Sequence, residues 1–164
     1  MSATSPTGGR TLIVILDVDG PVIPATQVLV DPMSTWDRIV PKTTVAVLSR
    51  LCERTGAKIV FNSTHNDQWD GVPDIVDALV AAGLDRSHVH PTHDRTAYPA
   101  VSRAQAAAEW LAAHPEVDDW IAFDDVAFID DPRLIWVDPN AGLHLTHLNE
   151  ALVRFGQKPI FIGM

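Results

Sequence analysis

Three apolar runs in this chain end in side chains that carry oxygen. "LIVIL" (12–16) leads into Asp17, Val18 and Asp19, "AKIVF" (57–61) into Asn62, Ser63, Thr64 and His65, and "DWIAF" (119–123) into Asp124 and Asp125. Delivered to one place, these ends would crowd four carboxylates and two hydroxyls into a small volume. Such a cluster is costly unless a cation neutralises it or some carboxyls keep their protons. An all-oxygen donor set favours a hard ion, with Mg²⁺ the natural choice.

The elements that must deliver these residues can be read from hydrophobic spacing. Continuous Ile, Val and Leu in 12–16 predict a strand buried on both faces, and 57–61, 119–123 and "LIWV" (134–137) read likewise. Helices are expected from Pro41 to about Arg54, around Pro73 to Ala82, from about Pro99 to Ala113, and over 144–155. Gly56, Gly83 and Gly156 stand at three of their ends. The Pro-bounded "PVIPATQVLVDP" (21–32) reads as a loop or small hairpin, and "PIFI" (159–162) as a last short strand. Buried strands alternating with helices imply an α/β fold, a three-layer doubly wound sandwich around a mainly parallel sheet. In such sheets ligands bind beyond the carboxyl ends of the strands, where all three oxygen-bearing ends would lie.

Composition narrows the classes. With 164 residues, the expectation is a flexible polar segment over 1–10 followed by one domain over 11–164. No apolar run nears the ~18 residues of a membrane span, and the N-terminus does not read as a secretory signal. Cys52 is the single cysteine, which excludes an intrachain disulfide and makes a reducing cytoplasm the simplest setting. Its place in an apolar helical pattern suits core filling rather than nucleophilic chemistry. The net charge of -9 argues against a broad nucleic-acid-binding surface, though a bound cation could still admit an anionic substrate.

"ILDVDGPV" resembles the first motif of the haloacid dehalogenase (HAD) superfamily of phosphohydrolases. Ser63 after "KIVFN" looks like the second motif and "WIAFDD" like the fourth, in the family's order. The pattern is most similar to the small capless phosphatase domains, some of them attached to nucleic-acid repair enzymes. The intervals around Ser63 leave no room for a large cap domain once their helices are counted. The resemblance implies a Mg²⁺-dependent phosphomonoesterase. Asp17 would be the nucleophile that becomes an aspartyl-phosphate, and Asp19 the general acid and base. Gly20 would let the chain turn without crowding the phosphate, and Ser63 and Thr64 would bind phosphoryl oxygens. Asp17, Asp19 through its backbone carbonyl, Asp124 and Asp125 would hold the metal.

The chain departs from the family pattern in two places. No Lys lies between Lys58 and Lys158 to serve as the third motif, which leaves Arg103, then Arg95, as the substitute cation. The second motif reads Ser63-Thr64-His65-Asn66, without the aromatic and Arg of the repair-type relatives. These departures motivate the alternative of a non-catalytic or regulatory domain that binds metal and phosphate. A receiver-like signalling domain ranks third, because Asn62 stands where its acceptor Asp would be needed.

Other residues have duller readings. Asp130 and Asp131 precede Pro132 and read as a loop, with Asp130 as an outer helper of the site. His88, His90 and His93 read as scattered surface residues rather than a zinc site. Trp110, Trp120 and Trp136 sit in core-like patterns, whereas Trp36 and Trp69 lie near the expected mouth. The substrate class implied is a phosphorylated nucleotide, another small phosphate ester or a nucleic-acid end. A homodimer that closes the open site also fits.

Overall fold

The structure, a computed structural model, describes residues 9–30, 40–63, 72–93 and 102–161. In chain order these form β1 (Leu12–Leu16), α1 (Ala25–Val30), α2 (Lys42–Thr55), β2 (Lys58–Phe61) and α3 (Val72–Ala81). A 3-10 turn (Arg86–His88), α4 (Arg103–Ala113), β3 (Asp119–Asp124), β4 (Leu134–Trp136) and α5 (Leu145–Arg154) follow.

The strands form a four-stranded, all-parallel sheet in the order β2-β1-β3-β4. Alternating side chains divide the core between its faces. Leu12, Val14 and Leu16 face the side covered by α2, α3 and α5, where Leu48, Leu51, Leu79 and Leu152 are fully buried. Ile13, Ile15, Val60 and Ala122 face Ala107 and Trp110 of α4. This is the expected α/β sandwich with helices on both faces. From β1 the chain moves outward to β2, then returns to the far side of β1 as β3. The order therefore reverses between β1 and β3, the point where doubly wound sheets open a crevice.

Several local readings need correction. The 21–32 segment contains no hairpin among its described residues. It turns tightly at Gly20–Ile23, where Val22 and Ile23 donate to Val18 O, and then forms α1 directly after Pro24. Pro24 is compatible with a helix start, and that context overrides the β-branched run. Helix α4 starts at Arg103 rather than about Pro99, because the Ser102 side chain caps it by accepting from Gln105 N at 3.2 Å. Residues 159–161 carry no strand; instead Ile160 N donates to Asn149 Oδ1 at 2.7 Å and Ile160 O accepts from Asn149 Nδ2. Trp136 is not core but 55% exposed, since β4 turns Ile135 inward and its neighbour outward. Cys52 is buried, and burial pushes its thiol up to about 12, as suits an inert core residue.

Gly142 holds the turn against the strand-end loop. Its φ is 70°, and an added Cβ would stand 2.6 Å from Pro24 Cγ. Trp110 anchors the thinner face. It is 2% exposed, stacks on His114 at 3.9 Å, and donates from Nε1 to Thr92 O at 2.8 Å. Because few residues share its cluster, we expect Trp110→Ala to cost about 3–5 kcal/mol in urea unfolding. A loss below ~1 kcal/mol would mean that α4 is held by other contacts.

Candidate functional site at the β1–β3 crevice

Register builds the site. Leu16 pairs with Phe61 on one side and Phe123 on the other, so Asp17, Asn62 and Asp124 follow at the same level. Backbone bonds continue the alignment past the strand ends. Asp17 N donates to Phe123 O, and Asn62 N to Leu16 O, each at 3.0 Å. Alternation then turns all three side chains toward the face covered by α4, the face that Ile15, Val60 and Ala122 also address. Asp17 and Asp124 are each 1% exposed, Asn62 2% and Ser63 0%.

The first residue of α4 meets this row. Arg103 Nη1 lies 2.6 Å from Asp124 Oδ1, 3.0 Å from Asp17 Oδ2 and 3.9 Å from Asp125 Oδ1. Asn62 Nδ2 donates to Arg103 O at 3.0 Å, tying the helix start to the strand end. This tie gives Asn62 a place that spacing alone does not assign. Its signal in the sequence is its position directly after an apolar strand. Asp124 Oδ1 also accepts from Val126 N at 2.8 Å, and Trp136 Nε1 donates to Asp125 O at 2.9 Å. The exposed tryptophan thus fixes the backbone of the acidic pair.

Asp17, Asp124 and Asp125 each offer a carboxylate oxygen, and these atoms lie within 4.8 Å of one another. Asp19 is not in that group; its residue is exposed one step further along the turn. Gly20 has φ 91°, and a Cβ there would come within 3.1 Å of Asp125 Oδ2, so the crowding avoided is against that carboxylate. Thr64, His65, Arg95, Trp36 and Trp69 lie outside the described residues. Asp131 Oδ1 accepts from Arg133 N at 2.8 Å, which makes the rival acidic pair part of a turn. Asp130 lines a separate cavity of about 370 Å³ beside Ala104, Ala107 and Trp120. His90 packs edge-on against Trp110 and His114, with ring centroids 5.1 and 5.2 Å away, and His114 Nδ1 lies 2.8 Å from Glu116 Oε1. Among the described residues His88 and His93 do not join that group.

Burial dominates the electrostatics. It pushes the Asp17 carboxyl up to about 7, with the Asp124 charge adding to it, while Arg103 and the Ser63 hydroxyl pull the other way. Asp124 is raised to about 6, again chiefly by burial, against Val126 N–H and Arg103. Burial opposes the Arg103 charge too, but Asp17 and Asp124 outweigh it and raise its pKa. From the described residues neither Asp17 oxygen receives a well-directed hydrogen bond. Ser63 and Arg103 still stand close enough to favour the ionised form. Among the described residues Arg103 is the arginine that pairs with these two buried carboxylates, an arrangement that suits a further cation.

The pH dependence follows in sign. Folded Asp17 keeps its proton to a pH well above its ordinary 3.8, so the folded state binds more protons than the unfolded one in that window. Metal-free stability from this group therefore falls as pH rises from about 4 to about 7. We expect the melting temperature of Asp17→Asn minus that of wild type, both in EDTA, to increase between pH 5 and 8. A constant difference would show that the Asp17 charge carries no folding cost.

No curated protein and no solved structure matches the chain significantly. The model of the family described as the HAD domain in Swiss Army Knife RNA repair proteins matches residues 13–148, from β1 into α5. That span covers β2, β3, β4, all of β1 but Leu12, and the crevice carboxylates Asp17, Asp124 and Asp125, and the chain belongs to this family of HAD domains.

Proposed function

We propose that this chain is a Mg²⁺-dependent phosphomonoesterase that works in the cytoplasm through an aspartyl-phosphate on Asp17. The observation that supports the reading most is the meeting of Asp17, Asp124 and Asp125 at the β1–β3 crevice, beside fully buried Ser63. Their all-oxygen, carboxylate-rich donor set fits a hard divalent ion. Asp17, Asp124 and Asp125 would hold it, with the backbone carbonyl of Asp19. Bound there, Mg²⁺ would polarise a phosphoryl oxygen and keep Asp17 ionised despite its burial.

The remaining work falls to the chain. An Asp17 oxygen attacks phosphorus, an O–P bond forms, and the ester P–O bond breaks as Asp19 gives its proton to the leaving oxygen. Asp19 then takes a proton from the water that attacks the same phosphorus, releasing inorganic phosphate and restoring Asp17. Asp19 can exchange protons with solvent because it is exposed, whereas Asp17 is shielded from it. Ser63 and Thr64 donate hydrogen bonds to the phosphoryl oxygens, and Arg103 matches their charge in a planar fork. The RNA-repair setting of the family supports a phosphorylated nucleic-acid end as substrate. With a net charge of -9, the contacts would be made to the end rather than along the strand.

A second reading is a metal- and phosphate-binding domain without turnover. The contacts of Arg103 with both Asp17 and Asp124 favour it, since they occupy the nucleophile in an ion pair. A panel of phosphorylated nucleotides, sugar phosphates and RNA ends, assayed with Mg²⁺, decides between the readings. We expect hydrolysis of at least one class, abolished by EDTA. Asp17→Asn should lower kcat at least about 10⁴-fold, and Asp19→Asn about 10²- to 10⁴-fold. Phosphate binding without hydrolysis would establish the second reading instead.

A further inference from the structure

Arg103 stands where the family's third-motif lysine is expected, yet its contacts go beyond pairing with the nucleophile. A single nitrogen, Nη1, bridges Asp17 Oδ2 and Asp124 Oδ1 at 3.0 and 2.6 Å and faces Asp125 Oδ1 at 3.9 Å. These are the carboxylates that group as a cation site. We infer that Arg103 is an internal counter-cation that shares the Asp17–Asp124 pair competitively with the divalent ion, and that loading the site drives its guanidinium off Asp124 toward the phosphoryl group.

The surroundings suit an exchange in which only the arginine moves. Asp124 stays fixed by Val126 N at 2.8 Å whether or not Arg103 contacts it. The Arg103 backbone is held as well, by Asn62 Nδ2 on its carbonyl and by the Ser102 cap one residue earlier. Its side chain, by contrast, is 22% exposed, while those of its partners Asp17 and Asp124 are 1% and 2% exposed. A long side chain with a tethered backbone and an open edge can swing; the enclosed carboxylates cannot. Like charges drawn to the same oxygens repel, so each cation must weaken the other's hold. An incoming phosphoryl group offers the guanidinium a second partner of matching geometry. Metal affinity would then be low in the resting protein and rise with substrate, by the reciprocity of coupled binding.

This inference rests on the metal-dependent reading above, and its test is chosen so that the two can fail separately. Mg²⁺ binding to the full chain is measured by calorimetry for wild type, Arg103→Ala, Arg103→Met and Asp124→Asn. In parallel, the Arg103 guanidinium ¹⁵N signals of the wild type are followed by NMR through the same titration. We expect both neutral Arg103 variants to bind Mg²⁺ about five- to a hundredfold more tightly than wild type, while hydrolysing substrate more slowly. We also expect the wild-type guanidinium signals to shift and sharpen as Mg²⁺ saturates. Equal or weaker Mg²⁺ binding by the neutral variants would overturn the inference, as would guanidinium signals that stay unchanged at saturation. Undiminished Mg²⁺ binding by Asp124→Asn would instead overturn the metal-dependent reading itself. The wild-type NMR arm stands even if a variant fails to fold.

Discussion

Leu16 pairs with Phe61 on one side and Phe123 on the other, and this parallel register sets where every polar group of the crevice can go. One step past those pairs, alternation aims Asp17, Asn62 and Asp124 at the α4 side of the sheet. A one-residue slip of β3 would turn Asp124 into the opposite face, beside Leu16 and Phe61. An unpaired carboxylate in that apolar layer would cost several kcal/mol. The apolar alternation that builds two cores therefore also locks the positions of the carboxylates.

The same arrangement creates the charge problem that defines the site. Asp17 and Asp124 are enclosed, and burial raises both pKa values, with the Asp124 charge adding to the rise at Asp17 and the Asp125 charge to that at Asp124. Among the described residues the opposing positive charge comes from Arg103, at the first turn of a helix whose N-terminal amides add their own positive potential. Asn62 and Ser102 fix that helix start, so the position of the cation is set by hydrogen bonds made away from the carboxylates themselves. A charge held this way balances the resting site and leaves it able to accept more positive charge.

Much of this was legible in the sequence, for physical reasons. Short, continuous apolar runs such as "LIVIL" read as strands buried on both faces, and in a parallel sheet the polar residues at their ends gather at one edge. Arg103 could be singled out because the region lacks lysine. The rest depended on tertiary context. The helix after Pro24 opposes its own β-branched propensity and is tied to the 138–143 turn by Ala25 N on Pro139 O and Leu143 N on Pro21 O. Trp136 has the composition of a core residue, but only the strand order reveals that β4 is an edge, where its indole reaches Asp125 O. Asn62 reads as one more polar strand end, and its partner, a backbone carbonyl 41 positions later, is set only by the fold.

The central claim is that Asp17, Asp124 and Asp125 jointly hold one divalent cation. Its most direct test is anomalous diffraction from crystals of the protein grown with Mn²⁺ as a heavier substitute for Mg²⁺. The account expects one strong anomalous peak within bonding distance of those carboxylates at the β1–β3 crevice. A crevice without such a peak at saturating Mn²⁺, or with the ion bound only elsewhere, would contradict it.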